Sequence, residues 1–576
     1  MRDNSTIIFF MKKIHKQIII SILLIATYFL TRLQNLTSIP VFADEAIYIR
    51  WSQIIKNVET LRFIPLTDGK QPLFMWLTTP ILSFFSDPLF AGRLLSVLAG
   101  LGTMVAIFLT TCLLSSKLPQ RHPERACPEH SRRVEGSRWN QNPLIFILHT
   151  ISTNFNSGLL SSLIYVFLPF SFFFDRLALP DTLLTMFGAW ALYLSLLQSL
   201  FLRLDLSLVL GAILGAAWLT KSPAIFFIVL SIFTASTPVI LSELALSIVE
   251  GSKDPKKNKS DVFKLLTLNL ITLAIAFCIY NLLRLGPQFH MIAIRNKDYI
   301  WGLKEILNHP LDPLKPHVLD IWTIYKYFIS LPVLLFTIIS FILTLKKKNK
   351  TTLLLVTFWW ILPLLANAIF TKVFTTRYIL YTLPPLIIII SLLITPFLCH
   401  PKPNQSGKKS LRKKPVIASE AWQSRWIYII LLLIFLPNFY RLYQFSYQPF
   451  NLNLPSTETG YIQDWTSGWG IKQSADYLKQ RAVQTNVIVG TEGYFGTLPD
   501  GLQIYTDQTP QLTVFGIGIN IIEIPKKLID AKNYGDEVYL LINQSRLKLP
   551  STEFEKLKIV QQHPKPASDT LLLIKI

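Results

Sequence analysis

Runs of about 20 apolar residues recur along this 576-residue chain and constrain its fold more than any other feature. A run of that length matches the hydrocarbon core of a bilayer. Charged residues make up only 16% of the sequence, whereas soluble domains carry about 25%. The chain is therefore expected to be a polytopic, mainly α-helical membrane protein.

The charge distribution indicates membrane topology and argues against a nucleic-acid partner. The formal net charge is +22, yet residues 445–576 carry 12 Lys and Arg against 13 Asp and Glu. Much of the positive excess lies in short polar runs between the apolar segments. Because cytoplasmic loops of membrane proteins are enriched in Lys and Arg, we expect multiple spans in the cytoplasmic (inner) membrane and no nucleic acid.

About eleven spans place every basic cluster on the cytoplasmic side. The predicted spans cover 17–33, 94–115, 157–174, 182–201, 206–219, 223–242, 262–283, a helix ending at 346, 352–370, 379–398 and 426–440. A further span at 73–86 would move the Arg-rich loop that follows residue 116 to the outside, so 46–57 and 71–86 are predicted to be outer interfacial helices. Residues 143–154 are also predicted to be interfacial, and a long outer loop is predicted to run to about 325.

The sequence divides into a membrane domain, 1–444, and a C-terminal domain, 445–576, that the last span exports. Short apolar runs between turn residues predict a small extracytoplasmic α/β domain. The predicted strands are 487–493, 502–507, 536–544 and 569–576, and the predicted helices are 471–482 and 522–531.

Two acidic sites fall on the predicted outer face. Asp44 and Glu45 follow the first span and open an amphipathic helix, and Asp181 follows Pro180 at a helix start, close to Arg176. Each acid could simply stabilise a helix N-terminus. The alternative is a carboxylate at the membrane boundary that acts as general base on an acceptor hydroxyl.

Several cations lie at outer helix ends, where the charge bias disfavours them. Lys221 separates two apolar stretches, and Lys372 and Arg377 lie before the tenth span. These side chains could extend to the interface without further function, or they could bind the phosphate of a lipid carrier. Arg93 and the Lys70-Gln71-Pro72 stretch form a further outer group, for which a structural role is the simpler reading.

An ordered set of motifs resembles a known family over roughly residues 15–400. The motifs are ADEAIY, KQPLFMWL, Arg93-Leu-Leu-Ser, RLALPDTLLTMF, LGAAWLTKSP and TTRYILYTLPPL. They are similar to the dolichyl-phosphate-mannose protein mannosyltransferase and aminoarabinose transferase superfamily. The chain departs from the family pattern in its long 116–142 loop and in Gln71-Pro72, where the family often has Pro-Pro.

The resemblance implies a GT-C fold and an inverting glycosyltransferase that uses a polyprenyl-phosphate sugar outside the cytoplasm. It implies Asp44 as catalytic base with Glu45 beside it, and Asp181 as the second acidic residue. Lys221 and Arg377 would contact the donor phosphate, and Arg93, Arg176 and Lys372 are further candidates for substrate binding. The partners would be the donor, an extracytoplasmic protein, lipid or glycan acceptor, and membrane lipids.

Two points stay open from the sequence. No cofactor is certain, although Asp44, Glu45 and Asp181 could bind a divalent metal ion. The rival functions are a transporter or flippase and a non-catalytic scaffold. A transporter would carry internal repeats and charges near the bilayer midplane, whereas the candidate charges here lie at outer helix ends.

Overall fold

A computed structural model describes residues 4–115, 143–249, 255–345, 351–398 and 434–576. Helices dominate the described residues up to 447, and a five-stranded sheet follows near the C-terminus. The predicted fold class, a mainly α membrane protein with a small C-terminal α/β domain, is therefore confirmed.

The helices are numbered here in chain order. They are α1 Asn4–Leu33, α2 Ala43–Asn57, α3 Leu73–Ile81, α4 Pro88–Ser115, α5 Pro143–Phe167, α6 Pro169–Phe174, α7 Pro180–Phe201, α8 Leu204–Thr220, α9 Ala224–Val249, α10 Pro255–Tyr280, α11 Met291–Tyr299, α12 Leu303–Asn308, α13 Leu311–Tyr325, α14 Leu331–Leu345, α15 Thr351–Phe370, α16 Leu383–Leu398, α17 434–447, α18 Ile471–Ala482, α19 Asp500–Thr506, α20 Lys526–Asn533 and α21 Ser551–Phe554.

Within the described residues, seven helical stretches are long and apolar enough to cross a membrane. They are Met11–Leu33, Pro88–Ser115, Pro180–Phe201, Val262–Leu285, Leu311–Ile342, Leu353–Phe370 and Thr376–Thr395. Two shorter apolar helices cover Leu204–Thr220 and Ala224–Thr237. The chain is thus an integral membrane protein. The number of eleven spans stays a prediction, because parts of 426–440 and of the basic loops at 121–138, 253–259, 346–348 and 401–425 lie outside the described residues.

Two predicted boundaries in the membrane domain are wrong. The helix predicted over 157–174 instead begins at Pro143 as α5, kinks at Asn154 and ends at Phe167, and α6 follows from Pro169. That residues 143–154 are interfacial stays a prediction, since α5 is not among the candidate spans. The apolar run after Pro143 continues the helix, and Pro169 is favoured at the first position of a new one. The predicted outer loop before 325 contains α11, α12 and α13, and α13 already belongs to the candidate span Leu311–Ile342.

Helices α2 and α3 occupy the segments that the sequence predicts to be interfacial. Neither α2 nor α3 is among the candidate spans. Helix α2 packs against α3 and α4 of the bundle and against α19 of the C-terminal domain. The start of α2, where Asp44 lies, is therefore held between the two parts of the molecule.

The C-terminal sheet has the strand order β2-β1-β3-β5-β4. Its strands are β1 Val487–Glu492, β2 Leu512–Gly518, β3 Glu537–Asn543, β4 Lys558–Pro564 and β5 Thr570–Lys575. Strands β2, β1 and β3 are parallel, whereas β5 pairs antiparallel with both β3 and β4. Buried strands β1, β3 and β5 form the centre, which explains their nearly continuous apolar sequences.

Most predicted elements of this domain are confirmed, with one exception. Helix α18 and strands β1, β3 and β5 form where predicted, and α20 covers the second half of the predicted helix 522–531. The predicted strand 502–507 is wrong, because these residues lie in α19. Pro499 and Asp500 begin that helix, and its Leu502, Ile504 and Tyr505 are buried.

Candidate active site

The backbone before Asp44 is fixed by the beginning of the C-terminal domain. The Ala43 amide donates to the carbonyl of Thr466 at 3.1 Å, and the Gly468 amide donates to the carbonyl of Val41 at 2.8 Å. Asp44 follows this short antiparallel bridge in the first turn of α2. Its position therefore depends on residues more than 400 positions later in the chain.

Asp44 forms an ion pair with Arg377, which lies in the 3-10 turn Thr376–Thr382 before α16. The exposed fractions of the two side chains are 27% for Asp44 and 14% for Arg377, so the pair remains reachable from outside. The preceding Thr376 amide donates to Oε1 of Glu458 at 2.7 Å. The C-terminal segment thus contacts the residue immediately before Asp44 and the residue immediately before Arg377.

A second ion pair lies beside the first. Lys221 Nζ donates to Oδ1 of Asp181 at 2.6 Å, and the ammonium lies 4.6 Å from the ring centre of Tyr378. The guanidinium of Arg377 lies 5.4 Å from the same ring centre. Oδ2 of Asp181 is buried and has no hydrogen-bond partner among the described residues. The structure therefore brings Asp44, Asp181, Lys221 and Arg377 together.

A cavity of about 490 Å³ opens over the Asp44–Arg377 pair. The bundle contributes side chains to its floor, among them Asp44, Tyr48, Trp51, Lys70, Tyr299 and Arg377. The C-terminal domain contributes its roof, which includes Trp465, Glu492, Tyr494, Phe495 and Arg546. The volume lies in the range of small-molecule sites, and the charged groups reach it from both sides.

Nearby cations lower the pKa of Asp44. Burial alone would raise the pKa of Asp44, but the nearby charges of Arg377, Lys70 and Lys221 outweigh it and hold that pKa below its usual value. Burial lowers the pKa of Lys221, and the Asp181 carboxylate partly offsets this. Asp44 is therefore ionised at neutral pH in a field that also attracts anionic ligands.

Glu45 and Arg93 pair with each other, away from the cavity. Arg93 Nε and Nη2 donate to the two Glu45 oxygens at 2.8 and 2.7 Å, and both side chains are fully buried. Glu45 also accepts from the amides of Phe42 at 3.0 Å and Ala178 at 2.6 Å. Arg93 additionally donates to the carbonyls of Leu36, Ile39 and Pro40. These bonds fix the chain on either side of Asp44.

Arg176 and Lys372 also lie apart from the Asp44–Arg377 pair. Arg176 is buried and donates to Ser446 Oγ at 2.9 Å and to the carbonyl of Gln34 at 3.0 Å. Lys372 Nζ donates to the carbonyl of Lys297 at 2.7 Å and lies over the ring of Trp301. The structure thus gives both cations partners within the protein, and neither lines the cavity.

Three further cations line the cavity without being among the predicted site residues. Lys70, which the sequence analysis gave a structural role, donates to the Tyr299 hydroxyl at 3.1 Å. Arg295 pairs with Asp68 at its rim, and Arg546 enters from the roof. Lys70 had a sequence signal, since it lies in the KQPLFMWL motif. Arg295 and Arg546 have no such signal, because each is a single arginine outside the recognised motifs.

The carboxylates do not fit the metal site that the sequence left open. Asp44 pairs with Arg377, Asp181 with Lys221, and Glu45 with Arg93. No group of three or more His, Cys, Asp or Glu side chains within the described ranges could hold a metal ion. A cation at each carboxylate competes with a metal ion for the same oxygens.

Comparisons with known proteins match several solved structures, of which two are described here. ArnT from Cupriavidus metallidurans bound to undecaprenyl phosphate aligns at a TM-score of 0.49 and 12% identity, over 96% of this chain and 97% of that chain. The apo state of ArnT from the same organism aligns at a TM-score of 0.45 and 13% identity, with the same coverage. No protein-family model and no curated protein matches the chain.

Proposed function

We propose that the chain is a membrane glycosyltransferase that moves a sugar from a polyprenyl-phosphate carrier to an extracytoplasmic acceptor. The observation that carries the proposal is the cavity in which the ionised Asp44 faces Arg377 and Lys70. The ordered motifs that resemble the mannosyltransferase and aminoarabinose transferase superfamily support it, because the gathered residues come from those motifs. By that resemblance the bundle has a GT-C fold.

The cations bind the donor phosphate in this proposal. The Nε of Arg377 makes no hydrogen bond within the described residues, so it can donate one to a phosphate oxygen without losing a protein partner at that atom. A phosphate oxygen would replace the Asp44 carboxylate on the guanidinium, while Lys70 and Lys221 add charge nearby. The same cations stabilise the phosphate as it leaves with the bonding electrons.

Asp44 acts as the general base. Once the phosphate pairs with Arg377, the Asp44 carboxylate loses its strongest counter-charge, and its pKa rises. It then accepts the proton of the acceptor hydroxyl as that oxygen forms a bond to the anomeric carbon and the bond to the phosphate breaks. A single displacement of this kind inverts the anomeric configuration. Asp181 orients Lys221, and Glu45 and Arg93 position the chain around Asp44.

Transfer in membranes tests the proposal directly. Membranes that contain the protein are incubated with radiolabelled polyprenyl-phosphate sugar, and label that moves to membrane acceptors is counted. Asp44→Asn should reduce transfer at least 100-fold, because general-base catalysis contributes about 10²–10⁴-fold. The proposal also places the cavity outside the cytoplasmic membrane, so the acceptor must be on that side.

Asp87→Asn is the matched control. Asp87 pairs with Lys472 at 2.6 Å outside this cavity, and its Oδ1 accepts from the Leu89 amide, a bond that asparagine preserves. This variant should transfer sugar normally. Normal sugar transfer by Asp44→Asn at equal expression would show that Asp44 is not the general base. Flux of the whole carrier across vesicles without sugar transfer would favour the transporter or flippase.

A further inference from the structure

Another cavity, of about 410 Å³, lies apart from the candidate active site, where the interfacial segments of the bundle meet the C-terminal domain. Helix α2, the loop between α3 and α4, helix α18 and the end of α19 surround it. Among the described residues, none lines both cavities. The volume lies in the range of small-molecule sites, and most of its lining side chains are polar.

Ion pairs within the protein fix the walls of this cavity. Lys472 of α18 pairs with Asp87, which precedes α4, at 2.6 Å. Arg50 of α2 pairs with Asp507, which follows α19, at 2.8 Å. These four charges neutralise each other in pairs, and they connect the bundle to the C-terminal domain on two sides of the cavity.

Two further lysines line the cavity without a partner. Lys56 lies in the exposed last turn of α2, and Lys479 lies in α18. Neither ammonium forms a hydrogen bond or an ion pair with another described residue. Asp476 also lines the cavity, and it likewise forms no ion pair within the described chain. Two unpaired cations against one unpaired carboxylate leave a positive surplus, which suits a phosphate.

One wall of the cavity lies at the start of a membrane span. Phe85 lines the cavity from the loop that ends at Asp87, and the candidate span Pro88–Ser115 follows directly. Because the first residues of a span lie at the membrane boundary, the cavity opens at the depth of the lipid headgroups. Phe84 is 81% exposed and Phe85 is 40% exposed. Such rings can contact acyl chains, whereas a free phosphate would gain nothing from them.

We propose that this cavity binds the headgroup of an anionic phospholipid, with its phosphate on Lys56 and Lys479 and its acyl chains over Phe84 and Phe85. Electrostatic attraction at the membrane surface contributes through both lysines. Lys56 belongs to the bundle and Lys479 to the C-terminal domain, so the bound lipid connects the two parts of the molecule. This site is separate from the sugar-transfer site and uses none of its residues.

Photo-cross-linking of the full-length protein in nanodiscs tests the site. The nanodiscs consist of phosphatidylcholine with a small fraction of a probe lipid that carries a diazirine close to the glycerol, and cross-linked peptides are identified by mass spectrometry. We expect a phosphatidylglycerol probe to label residues 82–88 about tenfold or more above a phosphatidylcholine probe with the same chains. The double variant Lys56→Gln, Lys479→Gln should label equally with both probes.

The double variant Lys526→Gln, Lys527→Gln is the matched control, since these exposed lysines of α20 line neither cavity. It should keep the preference for phosphatidylglycerol. Lys56→Arg, Lys479→Arg should also keep it, and this variant retains both charges if the glutamine variant does not fold. Equal labelling of wild type by the two probes, or an unchanged preference in the glutamine variant, would overturn the site. Loss of labelling in millimolar inorganic phosphate at constant ionic strength would identify a free-phosphate site instead of a lipid site.

Melting temperatures and undecaprenyl phosphate affinity give independent readouts. Phosphatidylglycerol should raise the melting temperature of wild type above that in pure phosphatidylcholine, because a ligand that binds the folded state stabilises it. The rise should be smaller in Lys56→Gln, Lys479→Gln than in the Lys526→Gln, Lys527→Gln control, and an equal rise in both would contradict the connecting role. The affinity for undecaprenyl phosphate should be the same in both variants. If it falls together with the labelling, the two lysines act on the donor site and the separate lipid site is wrong.

Discussion

At the scale of single residues, neighbouring carboxylates have opposite environments. Asp44 faces the cavity and is 27% exposed, whereas Glu45 is fully buried against Arg93. Successive helix positions point about 100° apart, so one side chain faces the cavity and the next faces the bundle. The N-terminal role that the sequence offered for both acids applies to Glu45, which accepts from the Phe42 amide.

Glu45→Gln is expected to reduce stability more than chemistry. It would leave Arg93 buried without its counter-charge, which costs about 3–5 kcal/mol in comparable pairs. The melting temperature in detergent should fall clearly, while undecaprenyl phosphate binding per folded molecule stays within a few-fold of wild type. A variant with wild-type melting temperature and abolished sugar transfer would show that Glu45 takes part in the reaction.

The sequence identifies some of the site residues but not their partners. Asp44, Asp181, Lys221 and Arg377 stand out as charges at outer helix ends within recognisable motifs. That Glu45 binds Arg93, 48 residues away, follows only from packing. Isolated cations such as Arg546 carry no local signal, because their role depends on which surface the C-terminal domain turns towards the bundle.

At the scale of elements, the segment 456–468 connects the C-terminal domain to both halves of the candidate site. Thr466 and Gly468 bridge to the residues before Asp44, and Glu458 accepts from the Thr376 amide beside Arg377. Lys565 Nζ in turn donates to the carbonyl of Ser467 at 2.6 Å. The sheet domain thus holds the segments that carry Asp44 and Arg377 in place relative to each other.

Gly468→Ala should disturb this connection. A Cβ at this position would lie 2.6 Å from the carbonyl oxygen of Val41, so the bridge before Asp44 must open. We expect sugar transfer to fall at least tenfold with little change in membrane insertion. Gly501→Ala is the control, since its Cβ would lie 3.2 Å from the end of the Ile471 side chain and 3.7 Å from side-chain atoms of Ala46 and Val41, with no backbone atom so close. Equal activity of the two variants would contradict the role of the bridge.

Glu458 should make stability depend on pH. Burial raises the pKa of Glu458 from 4.5 to about 7, and the Thr376 amide and Arg377 only partly oppose this. Between these two values the folded state holds the proton that the unfolded state releases, so stability is full below pH 4.5 and falls as the pH rises to about 7. Melting temperatures at pH 5 and pH 8 measure this, and Glu458→Gln should reduce the difference. If the melting temperatures of Glu458→Gln at pH 5 and pH 8 differ as much as those of wild type, other groups cause the pH dependence of stability.

The hydrophobic period and the length of each apolar segment predict most helices and strands, and the exceptions have local causes. Helix α18 and strands β1, β3 and β5 follow their patterns because each buries one continuous apolar surface. In α19, Leu502 and Ile504 alternate as in a strand, but the helix packs both of its sides against neighbouring elements. Edge strands β2 and β4 were not predicted, since glycines interrupt one and polar residues the other.

At the scale of the whole molecule, the candidate site lies between the bundle and the C-terminal domain. The motif resemblance ends near residue 400, whereas the roof of the cavity begins at Trp465. The sequence therefore predicts only the half of the site that we propose to hold the donor. The half that the C-terminal domain contributes depends on how that domain packs on the bundle.

Labelling of whole cells tests the proposed orientation. Tyr494→Cys, in a background where the four native cysteines are replaced by Ser, should react with a membrane-impermeant maleimide in intact cells, because Tyr494 is 72% exposed. The positive-inside pattern predicts the same side. Labelling only after the membrane is permeabilised would place the cavity in the cytoplasm and exclude an extracytoplasmic acceptor.

The central claim is that the donor phosphate replaces Asp44 on Arg377, and affinity for undecaprenyl phosphate in nanodiscs tests it most directly. Arg377→Gln should weaken binding at least tenfold, a loss of about 1.4 kcal/mol or more. Asp44→Asn should bind as tightly as wild type or more tightly, since it removes the competing carboxylate, and Lys372→Ala should match wild type. If Arg377→Gln and Asp44→Asn instead weaken binding equally, or if neither changes it, the exchange does not occur and the proposed donor site is wrong.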